Sequence, residues 1–533
     1  MPKTRPYLFY DIAISICSTC YRRVDAKIVF QDTNVYLLKR CPDHGPERIL
    51  IADDVDYYRR CREVFIKPPE MPLVYNTPVK WGCPYDCGLC TDHEQHSCLT
   101  LVEICDYCNL RCPVCYASSG PERQQFRDLK QIEKMLDAVV RNEGHPDVVQ
   151  LSGGEPTVHP QFFEIVELAK ARPIKHLMVN TNGVRIAQEE DFVQRLAEIK
   201  EDFEVYVQFD SFERDPLMEL RGADLRRIRE DAIEKLNRYN ISTNLVVTLK
   251  KGLNDHEIGK TIDYALQQPC VRGVTFQPIQ DAGRLETWIP NRASTDSGAP
   301  LLPDVGRSGV LDGNGGYVRT FNPATDRLTL TEVRRKILEQ TQVFRPEDVI
   351  PVPCHPDSLA MAYALKLNGK VTPLTSMIPP EVLINGAKNT ILYEQEPSVR
   401  DNLFKLFATN HSPQSSAGTL RELLCCLPPV WIPNSPQQSC HSEPARRGGE
   451  KPAVRSLTYE NIFRVIIMQF LDAHSFDVRS VKKTCVHIVH PDGRLIPFDT
   501  YNLFYRDDLE QTRLDPLKRV ADPALAPAYE IAR

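Results

Sequence analysis

The chain has 533 residues and a mass of 60.8 kDa, room for roughly three to four domains at about 150 residues each. Its 42% apolar and 26% charged residues are those of a folded globular protein and exclude a mostly disordered or collagen-like chain. A net charge of −6, from 65 Lys+Arg against 71 Asp+Glu, with a pI ≈ 6.2, gives no footprint of a nucleic-acid binder. Twelve of the 18 cysteines fall before residue 116, and that front-loading directs the reading.

The opening stretch MPKTRPYLFYDIAISICSTC is basic at its start, but Asp11 and Ser15 interrupt its apolar run and no small-residue cleavage site follows. It is therefore not read as a signal peptide. No run approaches 18 uncharged apolar residues, so no transmembrane helix is expected and the chain reads as cytoplasmic. In a reducing compartment, closely spaced cysteines are metal or cluster ligands more often than disulfides.

Residues 1–75 form a small module with strands at 27-KIVFQ-31 and 35-VYLLKR-40. The pairs 17-CSTC-20 and 41-CPDH-44 bracket them, so Cys17, Cys20, Cys41 and His44 offer three thiolates and an imidazole. That set suits the tetrahedral zinc of a zinc ribbon. It equally suits a mononuclear rubredoxin-like iron, with Cys61 as a substitute for His44. Stapling a small module and transferring electrons both remain open as its role. Residues 76–98 connect this module to the next through 83-CPYDCGLC-90 and Cys98, a C-x3-C-x2-C-x7-C set. Four ligands, Cys83, Cys87, Cys90 and Cys98, complete an auxiliary 4Fe–4S cluster, with zinc as the alternative. His93 and His96 are read as solvent-facing or supporting residues rather than ligands.

Residues 99–283 alternate strands with helices. The strands are 99-LTLVEI-104, 147-DVVQL-151, 174-IKHLMVN-180, 204-EVYVQFD-210, 242-STNLVVTL-249 and 273-GVTFQPI-279, with helical patterns such as 129–142 and 225–239 between them. Six such units predict an α/β fold, an open, partial (β/α)6 version of the TIM barrel, with its site at the C-terminal strand ends. Residues 284–326 read as a loop or lid. Residues 327–533 read as an α+β region. It has a helix near 331–341, a disordered insertion near 428–454, an amphipathic helix over 459–476, and a hairpin over 485–506 turning at Pro491-Asp492-Gly493. Cys270 reads as core, Cys354 and Cys485 as partners at a further site, Cys425 and Cys426 as helix packing, and Cys440 as part of the insertion.

The central motif is 108-CNLRCPVC-115, a C-x3-C-x2-C loop. Three thiolates on one loop hold three irons of a 4Fe–4S cube, which normally takes four cysteines. The fourth iron is left open, as catalytic metal sites keep a position open. The alternative is a zinc knuckle completed by Cys105. Later strand ends carry 152-SGGEP-156, 180-NTNG-183 and 208-QFDS-211. Thr248 and Gln277 end the fifth and sixth strands, as pocket residues or as ordinary polar strand ends.

A strand, the three-cysteine loop and the aromatic Tyr116, followed by these strand ends, resemble the radical S-adenosylmethionine (SAM) superfamily over about residues 99–283. The resemblance implies that Cys108, Cys112 and Cys115 hold the cluster. Gly153, Gly154 and Glu155 would bind the methionine amino group, the glycines allowing close approach to the ligand. Asn182 belongs to the same site, and Gln208 and Asp210 would contact the ribose, Asp210 accepting from its two hydroxyls. It further implies reductive cleavage of SAM to methionine and a 5′-deoxyadenosyl radical that takes hydrogen from an unactivated C–H bond. The protein binds, orients and excludes side reactions, and a ferredoxin or flavodoxin supplies the electron.

The run 83–117, with 41-CPDHG-45, 152-SGGEPTVHP-160, 208-QFDS-211 and 491-PDGRLIPFDTYNLFYR-506, resembles one subgroup along most of the chain. That subgroup holds archaeal tetraether lipid synthase, similar proteins described as pterin methyltransferases, and bacterial membrane-spanning-lipid synthases. The leading expectation is carbon–carbon bond formation between lipid chains, with peripheral membrane contact. Methylation of a pterin-like substrate is the alternative, and a non-catalytic iron–sulfur or zinc electron-transfer protein the third. The subgroup's further cysteines near PCHPD and PFxTYN are replaced here by Ser358 and Asp499, so a third cluster is absent or differently ligated.

Overall fold

The computed structural model describes residues 4–65, 70–288, 317–319, 321–352, 355–367, 370–376 and 461–521. Cys354, Cys425, Cys426, Cys440 and the 428–454 insertion lie outside these residues.

Four antiparallel strands open the chain: β1 (Leu8–Ile16), β2 (Arg23–Gln31), β3 (Asn34–Cys41) and β4 (Gly45–Ala52), paired in that order. Alternation along β2 and β3 turns Ala26, Ile28, Val35 and Leu37 into a small core against Tyr58 of the helix Val55–Glu63. Asp54 caps that helix by accepting from the Tyr57 amide at 2.9 Å. Buried Lys39 fastens the module to the rest of the chain, donating to the Ile16 and Ala473 carbonyls at 2.7 and 2.6 Å.

The central region begins with β5 (Leu99–Cys105), followed by the short β6 (Val114–Cys115), β7 (Val148–Gly153), β8 (His176–Thr181), β9 (Phe203–Gln208), β10 (Thr243–Leu249) and β11 (Val271–Pro278). Strands β5, β7, β8, β9, β10 and β11 lie side by side and parallel, the expected partial barrel, and among the described residues the sheet does not close. Their runs are almost wholly buried because helices cover the outer face. The helix Leu129–Glu143 shows the pattern: Asp128 caps it, and Ile132, Met135, Leu136 and Val139 form its buried stripe.

The region expected as a plain loop or lid begins and ends in strands, β12 (Arg284–Trp288) and β13 (Tyr317–Arg319), which pair with each other and, through β12, with β6. After the helix Leu330–Gln340 come β14 (Ile350–Pro351), β15 (Leu359–Leu367), β16 (Lys370–Pro373), β17 (Ile462–Met468), β18 (Val486–Val489) and β19 (Leu495–Pro497). The segment 459–476, expected as an amphipathic helix, is instead strand β17. Phe463 to Met468 are all buried, and a short apolar run buried on both faces has no period that separates helix from strand. Its β-branched content suits the strand.

Strand β17 runs parallel to β11 at one edge of the barrel, and β18 runs parallel to β5 at the other. The C-terminal region thus widens the parallel sheet from six strands at both edges, with β15 and β19 antiparallel beyond. The hairpin at Pro491-Asp492-Gly493 forms as expected between β18 and β19. A short helix, Phe498–Thr500, and a π-helical turn, Tyr501–Tyr505, follow it. No helix among the described residues is long and apolar enough to cross a membrane.

Candidate functional site

A cavity of about 160 Å3 occupies the barrel interior and its mouth at the C-terminal strand ends. Cys108, Cys112, Cys115, Gly153, Gly154, Glu155, Asn182, Gln208, Thr248 and Gln277 all line it. The cysteine loop follows β5 directly. Burial pushes the Cys108 thiol well up, and Cys112 and Glu155 add to the push. Burial thus holds the proton on this thiol, and a bound cation would have to displace it. Cys105 does not join the cysteines of the loop. It is buried, with Sγ 3.5 Å from the Tyr107 and Glu155 carbonyls.

The two glycines of the GGE segment line the cavity and also make a contact that the sequence did not point to. A Cβ at Gly153 would stand 2.2 Å from the Cys105 carbonyl, and one at Gly154 would stand 2.0 Å from that of Tyr107. Their backbone docks on the cysteine loop, with Gly154 N donating to Cys105 O and Glu155 N to Tyr107 O, both at 2.8 Å. The loop is clamped from its other side by β12. Gly283, at φ 65, lets the chain pass the Cys115 and Tyr116 carbonyls. Arg284 donates to the Cys112 and Ser118 carbonyls at 3.0 and 2.8 Å.

Glu155 is buried and raised above the usual carboxylate range by that burial. Its Oε1 accepts from Thr157 and Thr181, while Oε2 takes the Asn182 amide at 2.7 Å and keeps capacity for a further donor. The Asn182 side chain donates to Asn109 at 2.7 Å, tying the third strand end to the cysteine loop.

Asp210 departs from its expected role as ribose acceptor. It is fully buried and does not line the cavity. Arg221 grips it with two bonds of 2.7 Å, and Gln208 Nε2 and the Thr248 amide donate to it at 2.7 and 3.0 Å. Although burial pushes its carboxyl up, Arg221 and Arg229 hold it below the usual range. The group facing the cavity is Arg221 itself, which also reaches Cys112. Burial raises that thiol and Arg221 draws it back. Sequence reasoning passed over Arg221 because it lies in an ordinary-looking helix, Arg214–Arg221, 11 residues beyond its partner.

Three aromatic rings complete the cavity wall. Phe470 and Phe498 stack with centroids 3.8 Å apart, and Tyr116 tilts against Phe498 at 5.1 Å. The signal for Tyr116 was its place after the motif. Phe498 stood in the PFxTYN segment without a role assigned to it, and Phe470 carried no signal.

The segment 83–98 packs outside this cavity. Cys87, Cys90 and Cys98 are buried and Cys83 is half-buried. The C-terminal segment closes over them: Thr500 Oγ1 donates to Cys87 Sγ at 2.9 Å, and the Cys87 amide donates to the Tyr505 hydroxyl at 2.9 Å. His93 and His96 are not solvent-facing. His93 Nε2 lies 2.9 Å from Thr484 O and 3.2 Å from His487, and burial takes its pKa down to about 4. His96 stands 3.4 Å from the Cys98 sulfur and 2.8 Å from Glu143. Burial would lower its pKa, but Cys98, Glu143 and Glu70 hold it well above its usual value.

In the N-terminal module the ligand atoms of Cys17, Cys20, Cys41 and His44 all lie within 4.8 Å of one another. Cys20 and Cys41 sulfurs are 3.8 Å apart, and His44 Nδ1 is 3.6 and 3.4 Å from Cys17 and Cys41. A tetrahedron with metal–sulfur bonds of about 2.3 Å has edges of about 3.8 Å, so the donors fit one such ion. Cys61 is not among them; it sits in the helix core beside Tyr57. Ser358 and Asp499 are both buried, and Asp499 accepts from the Leu471 amide and Thr484.

Residues 102–265 match the family model described as the radical SAM superfamily, and residues 9–53 match the HMPTM N-terminal zinc ribbon domain. A 7,8-dihydro-6-hydroxymethylpterin dimethyltransferase of Methanocaldococcus jannaschii is 28% identical over 95% of this chain and 96% of its own. A GTP 3′,8-cyclase of Alkaliphilus oremlandii is 28% identical over 34% of this chain and 57% of its own. Among solved structures, Streptococcus suis SuiB bound to S-adenosylmethionine matches 34% of this chain and 40% of its own, at 17% identity and a TM-score of 0.29.

Proposed function

We propose that this chain, whose residues 102–265 match the radical SAM superfamily, is a radical SAM enzyme that methylates a pterin-like heteroaromatic substrate in the barrel cavity. The observation that carries the choice of reaction is the extent of the likeness to the pterin dimethyltransferase, which runs the length of both chains.

In this reading Cys108, Cys112 and Cys115 hold a 4Fe–4S cluster at the cavity mouth, and the three thiols that line that mouth are the donor set it needs. The cluster and SAM, when bound, supply one-electron reductive cleavage and a radical that takes hydrogen from carbon. The residues of this chain bind and orient. Glu155 Oε2 accepts from the methionine amino group, and Asn182 and Gln208 supply amides along the strand ends. Arg221, held in place by Asp210, presents its guanidinium to the methionine carboxylate. Cys83, Cys87, Cys90 and Cys98 hold an auxiliary cluster, and Cys17, Cys20, Cys41 and His44 a single zinc or iron. An external ferredoxin- or flavodoxin-type reductant supplies the electron. The module boundaries proposed are 1–75, 76–98, 99–283, 284–326 and 327–533.

The test is anaerobic incubation of the reduced, cluster-loaded protein with SAM and either a reduced hydroxymethylpterin or phospholipid. The expected products are 5′-deoxyadenosine and methionine from the SAM that is cleaved, S-adenosylhomocysteine from a second SAM that gives up its methyl group, and a methylated pterin, with the reductant supplying the electrons. Chain-coupled lipid with unchanged pterin would transfer the assignment to lipid coupling, and absence of SAM cleavage would sink the radical assignment altogether.

A further inference from the structure

The cavity carries features that the cluster and SAM do not account for. On one wall Phe470, two residues beyond β17, stacks on Phe498, the first residue of the turn after β19. Both rings line the cavity, and neither belongs to the six central strands. Gln280, just past the end of β11, lines the same cavity. The residue is 9% exposed, and its buried Oε1 finds no hydrogen-bond partner. A buried carbonyl left without a donor is costly, and native structures supply one from protein, water or ligand. An aromatic wall and an unpaired acceptor lining one cavity suit a flat ring that carries N–H groups on its edge.

We propose that Phe470, backed by the buried ring of Phe498, presents the face on which the substrate ring stacks and that Gln280 Oε1 accepts from an N–H on the ring edge. This rests on the pterin reading above and adds the residues that select the ring. The stacking wall arises from the C-terminal region, while the edge acceptor stands at the end of the sixth central strand, β11. An aliphatic chain would gain contact area from the rings but leave Gln280 unpaired.

The test uses the full chain, cluster-loaded and with SAM present, titrated with fluorescent 6-hydroxymethylpterin, in wild type and in Phe470→Leu, Phe470→Trp and Gln280→Leu. Phe470→Leu keeps apolar bulk without a π face and should raise the pterin Kd about tenfold, while Phe470→Trp should stay within about threefold of wild type. Gln280→Leu should weaken pterin about tenfold and should narrow the preference for pterin over a 2-oxo analogue without the exocyclic amine. Equal affinities for the Leu and Trp variants would overturn the stacking face. A Gln280→Leu effect on SAM rather than on pterin would overturn the edge contact. If wild type binds no pterin, the substrate reading falls and this proposal with it. If wild type binds and only the variant contrasts fail, the substrate reading stands and the assigned residues do not.

Discussion

The chain uses one cysteine spacing twice, in 83-CPYDCGLC-90 and in 108-CNLRCPVC-115, and the two copies sit in opposite surroundings. The second faces a cavity, beside Glu155, Asn182 and Arg221. The first is shut in by the C-terminal segment, which places Thr500 against Cys87 and Tyr505 against the Cys87 amide. Spacing therefore tells how many irons a loop can hold, and the covering elements tell whether anything else reaches them. A closed four-cysteine set suits electron storage or transfer, and an open three-cysteine set suits ligand binding.

The largest effect expected follows from the open copy. Replacing Cys108, Cys112 and Cys115 together by alanine should remove about four irons and all SAM cleavage, while leaving the iron at the closed copy in place. Iron and sulfide counts with a deoxyadenosine assay read both quantities. Loss from both regions at once, or from neither, would break the comparison.

Next in size is the buried pair beneath the open site. Asp210→Asn leaves the Arg221 guanidinium buried with its charge unmatched, and breaking a buried ion pair in this way costs about 3–5 kcal/mol. Urea unfolding should show that loss together with weaker SAM binding. An unchanged stability would mean that Arg221 finds another partner and that Asp210 does not anchor it.

Behind the closed copy, Asp499 gives a smaller, pH-dependent effect. Burial takes its carboxyl up to about 6 in the folded chain, against about 3.9 unfolded. Below about pH 4 both states are protonated and there is no penalty. Between about 4 and 6 the unfolded chain ionises while the folded one holds its proton, so stability falls by up to about 3 kcal/mol and is constant above. Asp499→Asn should remove that slope, measured as the difference between parallel wild-type and variant unfolding at pH 4.5 and pH 7. Wild type that instead gains stability over this window would mark Asp499 as a paired or metal-bound carboxylate.

Much of this contrast was legible from residues alone, because it rests on local spacing. The strand-end motifs, the cysteine sets and the order of the six central strands all follow from patterns a few residues long. What was not legible depends on distant pairing. Segment 462–468 reads equally well as helix or strand, and only its place beside β11 makes it β17. Gly153 and Gly154 looked like ligand contacts, and the neighbour that also requires them, the backbone at residues 105–107, did not show. Asp210 looked free to meet a ribose until Arg221 occupied both its oxygens. Phe470 and Phe498 reach the cavity only because the C-terminal strands join both edges of the barrel sheet.

The smallest effect isolates the closing element itself. Thr500 donates its hydroxyl to the Cys87 sulfur, and hydrogen bonds to ligand sulfurs stabilise the more negative, reduced state of a cluster. Thr500→Val keeps the shape of the side chain and removes the donor. With one such bond taken as about 1 kcal/mol and one electron transferred, the potential of the auxiliary cluster proposed at Cys83, Cys87, Cys90 and Cys98 should fall by about 40 mV. Spectroelectrochemical titration reads that shift directly, and the open centre, which Thr500 does not touch, should keep its potential. A shift of the open centre instead would mean that the two copies are coupled through the C-terminal segment, with Phe498, two residues from Thr500, as the contact between them.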